Sequence, residues 1–244
     1  MRIIKSLIFD ILFYSWTTFC VTVLLPTLIT RSSALWTNNL WVAGVFWLCD
    51  NVLGLHYEVK GLENLPKGQY FIASKHQSAW ETMIYHHLIP DVAYVLKKEL
   101  MWLPLFGWFM KRLGMIPISR NKKTAMQDLK TMLEASDVAV QNNQVIVIFP
   151  EGTRSQPGLP GHYHSGVALI YNHLNIPVVP VALNSGLFWP RKGLIKKPGL
   201  ITIEFLKPIE PGLPKKDFMA KLEQDIEDAS LKLYKKGLVY VESE

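Results

Sequence analysis

The pattern of apolar and polar positions changes character near residue 54. Before it, apolar residues run on almost without a break: no charged residue stands between Ile11 and Ile29, and a second apolar segment over 34–49 carries Trp36, Trp41 and Trp47. Each approaches the roughly 20 residues that cross a bilayer as a helix. Asp10 borders the first segment, Pro26 falls near its end, Arg31 separates the two, and polar Thr37, Asn38 and Asn39 open the second. The expectation is a membrane-associated helical hairpin over 1–54, partly sunk into one leaflet with its tryptophans at the interface, rather than two clean spans. Arg2, Lys5 and the run Ser32-Ser33-Ala34 also imitate a cleavable secretory signal, but the apolar region is too long for one and Asp10 lies within it.

Beyond Leu55 short apolar runs alternate with longer mixed segments. Strands are expected over 56–60, 70–74, 92–97, 114–119, 145–149, 178–183 and 201–206, and helices over 78–88, 105–113, 122–141, 165–175 and 215–236. This alternation predicts an α/β domain over 55–244, with a largely parallel central sheet, flanking helices, and ligands gathered where strands end at their carboxyl side. No internal repeat or low-complexity linker separates the hairpin from this domain, so the two are expected to pack directly on each other.

Charge narrows the partners without choosing among them. A net charge of +6 favours an anionic partner, whether nucleic acid, a phosphorylated substrate or an acidic membrane. No aromatic-basic recognition motif supports nucleic acid, and the apolar N-terminus argues for lipid. Cys20 and Cys49 have neither redox nor metal spacing and read as small buried residues. The chain lacks G-x-G, a phosphate-loop lysine pattern, G-x-S-x-G and H-E-x-x-H, which argues against dinucleotide, phosphate-loop, common serine-esterase and zincin chemistry. His86, His87, His162 and His164 lack a convincing further ligand, and no metal is expected.

His76 and Glu81 stand out against this background. His76 follows the expected strand 70–74, and Glu81 lies about one turn into the next helix, where its carboxylate can reach back to the imidazole and hold its tautomer for general-base work. The stretch Ser78-Ala-Trp-Glu81 is equally a capping box, in which Glu81 satisfies backbone donors at a helix start. Spacing alone leaves both readings open.

The segment 76–81, the run Phe149-Pro-Glu-Gly-Thr-Arg154 and the later Val178-Val-Pro-Val-Ala182 together resemble successive blocks of the glycerolipid acyltransferase family, most closely its 1-acyl-sn-glycerol-3-phosphate (lysophosphatidic acid) acyltransferases. Residues 97–104, Gly107 and 114–120 resemble the block between, so the likeness runs from about Gly61 to Pro208. The family usually has aspartate where Glu81 stands, one methylene shorter. The resemblance implies transfer of a fatty acyl group from acyl-CoA or acyl carrier protein to the sn-2 hydroxyl of lysophosphatidic acid, giving phosphatidic acid for phospholipid biosynthesis. His76 is then the general base oriented by Glu81, and the protein needs neither a nucleophile of its own nor a cofactor beyond the acyl donor. Glu151, Gly152, Thr153 and Arg154, with Lys97, are expected to hold the acceptor's phosphate and glycerol. Gly152 allows a tight turn, and Arg154 offers a planar fork for phosphate oxygens. Expected partners are the two lipid substrates, membrane lipids and possibly acyl carrier protein, at the cytoplasmic face of the inner membrane.

Weaker candidates accompany these. Lys98, Lys111, Arg112, Arg120, Arg191, Lys192, Lys196 and Lys197 suit an anionic lipid surface or coenzyme A phosphates, or are simply solvated. Where many relatives carry a basic residue before a glycine, this chain has His164-Ser165-Gly166. A ruler for acyl-chain length falls among Trp102, Phe106, Trp108 and Phe109, residues that suit core packing as well. Two alternatives remain beside the main reading: an acyltransferase for another lysolipid, and a non-catalytic membrane lipid-binding protein on the same fold.

Overall fold

The computed structural model describes residues 1–119 and 125–242. Two helices, α1 (Arg2–Val23) and α2 (Arg31–Leu48), form the N-terminal hairpin around a short 3-10 turn, Leu25–Ile29. Then follow β1 (Leu55–Lys60), β2 (Phe71–Ser74), α3 (Glu81–Leu88), β3 (Val92–Lys97), α4 (Phe106–Leu113), β4 (Ile116–Ile118), α5 (Ala125–Gln141), β5 (Val145–Ile148), α6 (Gly166–Leu174), β6 (Val178–Leu183), β7 (Gly199–Phe205) and α7 (Lys215–Glu242). The expected helix 122–141 begins outside the described residues, as does Arg120. The helix expected from 78 begins at Glu81, and the last helix continues beyond 236.

The strands form one sheet in the order β1-β7-β6-β2-β5-β3-β4. Neighbours are parallel except β6 and β7, whose antiparallel pairing turns β1 and β7 against the other five strands. The central strands β2, β5 and β6 are buried on both faces, which is why they read as continuous apolar runs rather than alternating ones. Phe71, Ala73, Ile146 and Ile148 enter one core with α5, α6 and α7, whereas Ile72, Val147, Val179 and Val181 enter the other with α2, α3 and α4. The result is three layers, helix on sheet on helix.

The hairpin belongs to the second of these cores. Phe9, Val42, Val45 and Phe46 are buried in it beside Trp80, Trp189 and the sheet. The two apolar segments therefore have different roles. The residues that open the second one, Thr37 and Asn38, are buried on α2, and Thr37 shares a 2.7 Å hydroxyl hydrogen bond with Thr27. α1 lies outside it, holding Ser6, Phe9, Phe13, Trp16 and Cys20 inward at helical spacing, while Ile3, Ile4, Leu7, Ile8, Ile11 and Phe19 face out. Trp16 donates its ring N–H to the Trp41 carbonyl at 3.0 Å, and Trp41 donates to the Thr17 hydroxyl at 3.0 Å, locking the pair. Among the described residues α1 is the one helix long and apolar enough to cross a membrane. Asp10, which argued against a deep span, ion-pairs with Lys196, a buried residue of the loop before β7. Lys196 was expected among surface charges, and its pairing removes it from them.

Candidate active site

The parallel strands β2, β5, β3 and β4 bring their carboxyl ends to one edge of the sheet. β2 ends at Ser74, and Lys75 and His76 follow at once. The His76 Nδ1 lies 2.9 Å from Glu81 Oε1. The same Glu81 oxygen accepts the backbone N–H groups of Gln77 and Ser78, while Oε2 accepts the Ser185 hydroxyl at 2.7 Å. Glu81 is fully buried, so four donors face one desolvated carboxylate and hold it still. The two readings of Glu81 are thus not rivals. Its carboxylate caps the turn into α3 and orients the imidazole together, and the extra methylene of glutamate supplies the reach. Ser78 contributes the other half of the cap by accepting the Trp80 N–H at 3.1 Å.

The His76 ring stacks on Phe149 with centroids 4.2 Å apart, and its side chain keeps 15% exposure. Among the described residues nothing is hydrogen bonded to Nε2, so with Nδ1 on the carboxylate side this nitrogen is left to meet a ligand. His86, by contrast, is half-buried, and desolvation of its ring pushes its pKa down to about 4.

β5 ends one strand away and leads into Phe149-Pro-Glu-Gly-Thr-Arg154. Gly152 takes φ +60°, the left-handed conformation that favours glycine, and its N–H closes the turn onto the Phe149 carbonyl at 2.9 Å. Glu151 is placed differently from the expectation of a glycerol contact. It is 2% exposed, with Oε2 accepting the His76 backbone N–H at 2.7 Å and Oε1 ion-paired to Lys75 at 2.7 Å. Ser155 returns from the same loop and donates both its N–H, at 2.7 Å, and its hydroxyl, at 3.0 Å, to the His76 carbonyl. Both main-chain groups of His76 are therefore held by this loop. Thr153 is exposed and Arg154 half-buried beside it, the Arg154 carbonyl accepting the Arg191 guanidinium at 2.7 Å. Lys97 is exposed at the end of β3, on the same edge but two strands from β2, roughly 10 Å away in strand spacing.

The expected ruler residues separate: Trp102 and Trp108 are exposed at 72% and 50%, whereas Phe106 and Phe109 line a small crevice of about 30 Å³ with Trp41 and Asn38, between the hairpin and α4. Three site residues escaped the sequence reading. Ser185 follows β6, a parallel neighbour of β2, so the rule that ligands gather at carboxyl ends points to it. Neither Lys75 nor Glu227 on α7 carries a local signal, since each is marked out by a partner far along the chain.

Residues 56–184 match the family model described as Acyltransferase. The chain is 37% identical over 163 residues to the 1-acyl-sn-glycerol-3-phosphate acyltransferase of Pseudomonas aeruginosa, covering 67% of this chain and 63% of that protein. It is 30% identical over 184 residues to the protein of the same name from Saccharomyces cerevisiae, covering 72% and 59%. The chain thus matches about three-fifths of the length of these relatives. Its fold is like the crystal structure of the 1-acyl-sn-glycerophosphate (LPA) acyltransferase, PlsC, from Thermotoga maritima, with a TM-score of 0.76 at 22% identity over 96% of this chain and 98% of that one. With more than half of its 244 residues inside the family model, and both strand-end loops within that match, the chain belongs to the Acyltransferase family.

Proposed function

We propose that this protein is a 1-acyl-sn-glycerol-3-phosphate O-acyltransferase working at a membrane surface. The observation that carries the reading is the 2.9 Å contact between His76 Nδ1 and the buried Glu81, which leaves Nε2 without a hydrogen-bond partner among the described residues, on a residue whose backbone the Arg154 loop holds. In this reading lysophosphatidic acid presents its phosphate to Arg154, with Lys97 adding charge from the next part of the edge, and its sn-2 hydroxyl to His76. Nε2 takes the hydroxyl proton as the oxygen attacks the carbonyl carbon of an acyl thioester. The tetrahedral intermediate collapses with cleavage of the carbon–sulfur bond, and the imidazolium returns its proton to the departing thiolate, leaving phosphatidic acid and free thiol. The acyl donor is acyl-CoA or acyl carrier protein. The exposed apolar face of α1 suits insertion into one leaflet, so that a lysolipid acceptor reaches the site without leaving the bilayer, at the cytoplasmic face of the inner membrane where acyl donors are made.

The test is thiol release by the purified, detergent-solubilised protein with each donor and with lysophosphatidic acid, neutral and amino-lysolipid acceptors. Release that requires lysophosphatidic acid and falls about 10²–10⁴-fold in His76→Ala is expected. Release with a different acceptor makes the protein an acyltransferase for another lysolipid. Absence of release with every pair leaves a lipid-binding protein.

A further inference from the structure

Around the turn that carries His76 lies a cluster of buried charges that the acyl-transfer chemistry does not use. Lys75 is 1% exposed, and its ammonium is 2.7 Å from Glu151 Oε1 and 2.7 and 2.8 Å from the two oxygens of Glu227. Glu227 belongs to α7, 152 residues further along the chain, and its Oε1 also accepts the Gly161 N–H at 3.3 Å. Gly161 gives the cluster its room, since a Cβ there would collide with the Glu151 carboxylate.

We infer that Lys75 and Glu227 are positioning residues, which hold Glu151 so that it fixes the His76 main chain and tie the C-terminal helix to the setting of the proposed base. The connection is continuous. Glu227 and Glu151 share one ammonium, and the other oxygen of Glu151 takes the His76 N–H. Burying these charges carries a desolvation cost, and a neutral acceptor would satisfy one backbone N–H as well. What a charged acceptor adds is a shorter, stiffer bond, and with it a narrower spread of imidazole positions. Burial raises the Glu151 pKa, and the Lys75 charge opposes that rise and favours the ionised form. The titratable groups facing Glu151 are Lys75, His76, Tyr163 and Glu227, with the Ser155 hydroxyl beside them. Removing the cation therefore raises the pH at which Glu151 ionises. Removing the Glu227 anion frees Lys75 for Glu151 and lowers it.

This inference rests on His76 being the base, so wild type, His76→Ala, Lys75→Met and Glu227→Gln are compared in one thiol-release assay on the full-length protein, with kcat and KM followed against pH and folding checked by thermal melting. The expected result is a fall in kcat of about ten-fold or more in Lys75→Met, the size of one lost hydrogen bond to a charged group, and a smaller fall in Glu227→Gln, which loosens Lys75 but leaves its pair with Glu151, with acceptor KM within about two-fold. The acid limb of the kcat profile moves up in Lys75→Met and down in Glu227→Gln. Glu227→Asp recovers part of the loss. Glu227→Gln decides alone if Lys75→Met does not fold. Folded variants with unchanged kcat and pH profile, or a lowered melting temperature with unchanged kinetics, would overturn the positioning role while His76→Ala stays inactive. An active His76→Ala, or an inactive wild type, removes the base itself and the inference with it.

Discussion

The loops that follow β2 and β5 each present a buried carboxylate to the same histidine, and they hold different parts of it. Glu81, from the first loop, takes the imidazole through Nδ1; Glu151, from the second, takes the backbone N–H. Glu81 collects only neutral backbone and hydroxyl donors besides the ring, whereas Glu151 is ion-paired to a lysine that it shares with Glu227. The difference is chemically sensible. A carboxylate beside the imidazole does most when its charge is uncompensated and ready to stabilise an imidazolium. A carboxylate that only anchors the main chain does better when a cation cancels its field. Two neighbouring acids are thus separated into an orienting group and a clamp by what surrounds them.

Breaking the ring contact should cost most. Glu81→Ala is expected to lower kcat about 10²–10⁴-fold with little change in acceptor KM, and Glu81→Asp to recover part of it, because the shorter acid keeps the charge but loses reach. An unaffected kcat in a folded Glu81→Ala protein, measured by thiol release, would return Glu81 to a capping role alone. Next comes the phosphate side of the β5 loop. Arg154→Lys should raise KM for lysophosphatidic acid by about ten-fold, and Arg154→Ala by more, while kinetics with a neutral lysolipid acceptor stay level; equal losses on both acceptors would show that Arg154 supports the loop instead. The smallest effect is expected at Ser185. Ser185→Ala removes one of several donors to Glu81 and should lower kcat no more than about ten-fold, with a matching loss of stability of about 1 kcal/mol in thermal melting.

Legibility in the sequence followed the range of the forces involved. The limits read for β3 and β6 coincide with those observed, because a continuous apolar run bounded by polar or turn residues is a local signal. The α3 start was read three residues early, since Ser78, Ala79 and Trp80 form a capped turn rather than a first helical turn. In the site, His76, Glu81, Gly152 and Arg154 were visible as a pattern of residue types at strand ends. Glu151 was expected to meet the acceptor, whereas the fold turns its carboxylate inward to Lys75, a partner 76 positions away that no local pattern marks. Asp10 was read as a fault in a membrane segment. Its partner, Lys196, lies 186 positions away and sits over the Phe9 and Trp189 rings.

The division has a physical basis. Periodicity, capping and turn chemistry act over a handful of residues, so the chain's own pattern specifies seven strands, their helices, the apolar hairpin and the two loops that carry the chemistry. Strand order, the reversal between β6 and β7, and the burial of α2 beneath α1 follow from how whole faces exclude water together. That collective packing sets β2 between β5 and β6, and so brings Glu81, Glu151, Ser185 and Glu227 to bear on or around one histidine. No stretch of the chain shorter than the span from Lys75 to Glu227 contains that arrangement.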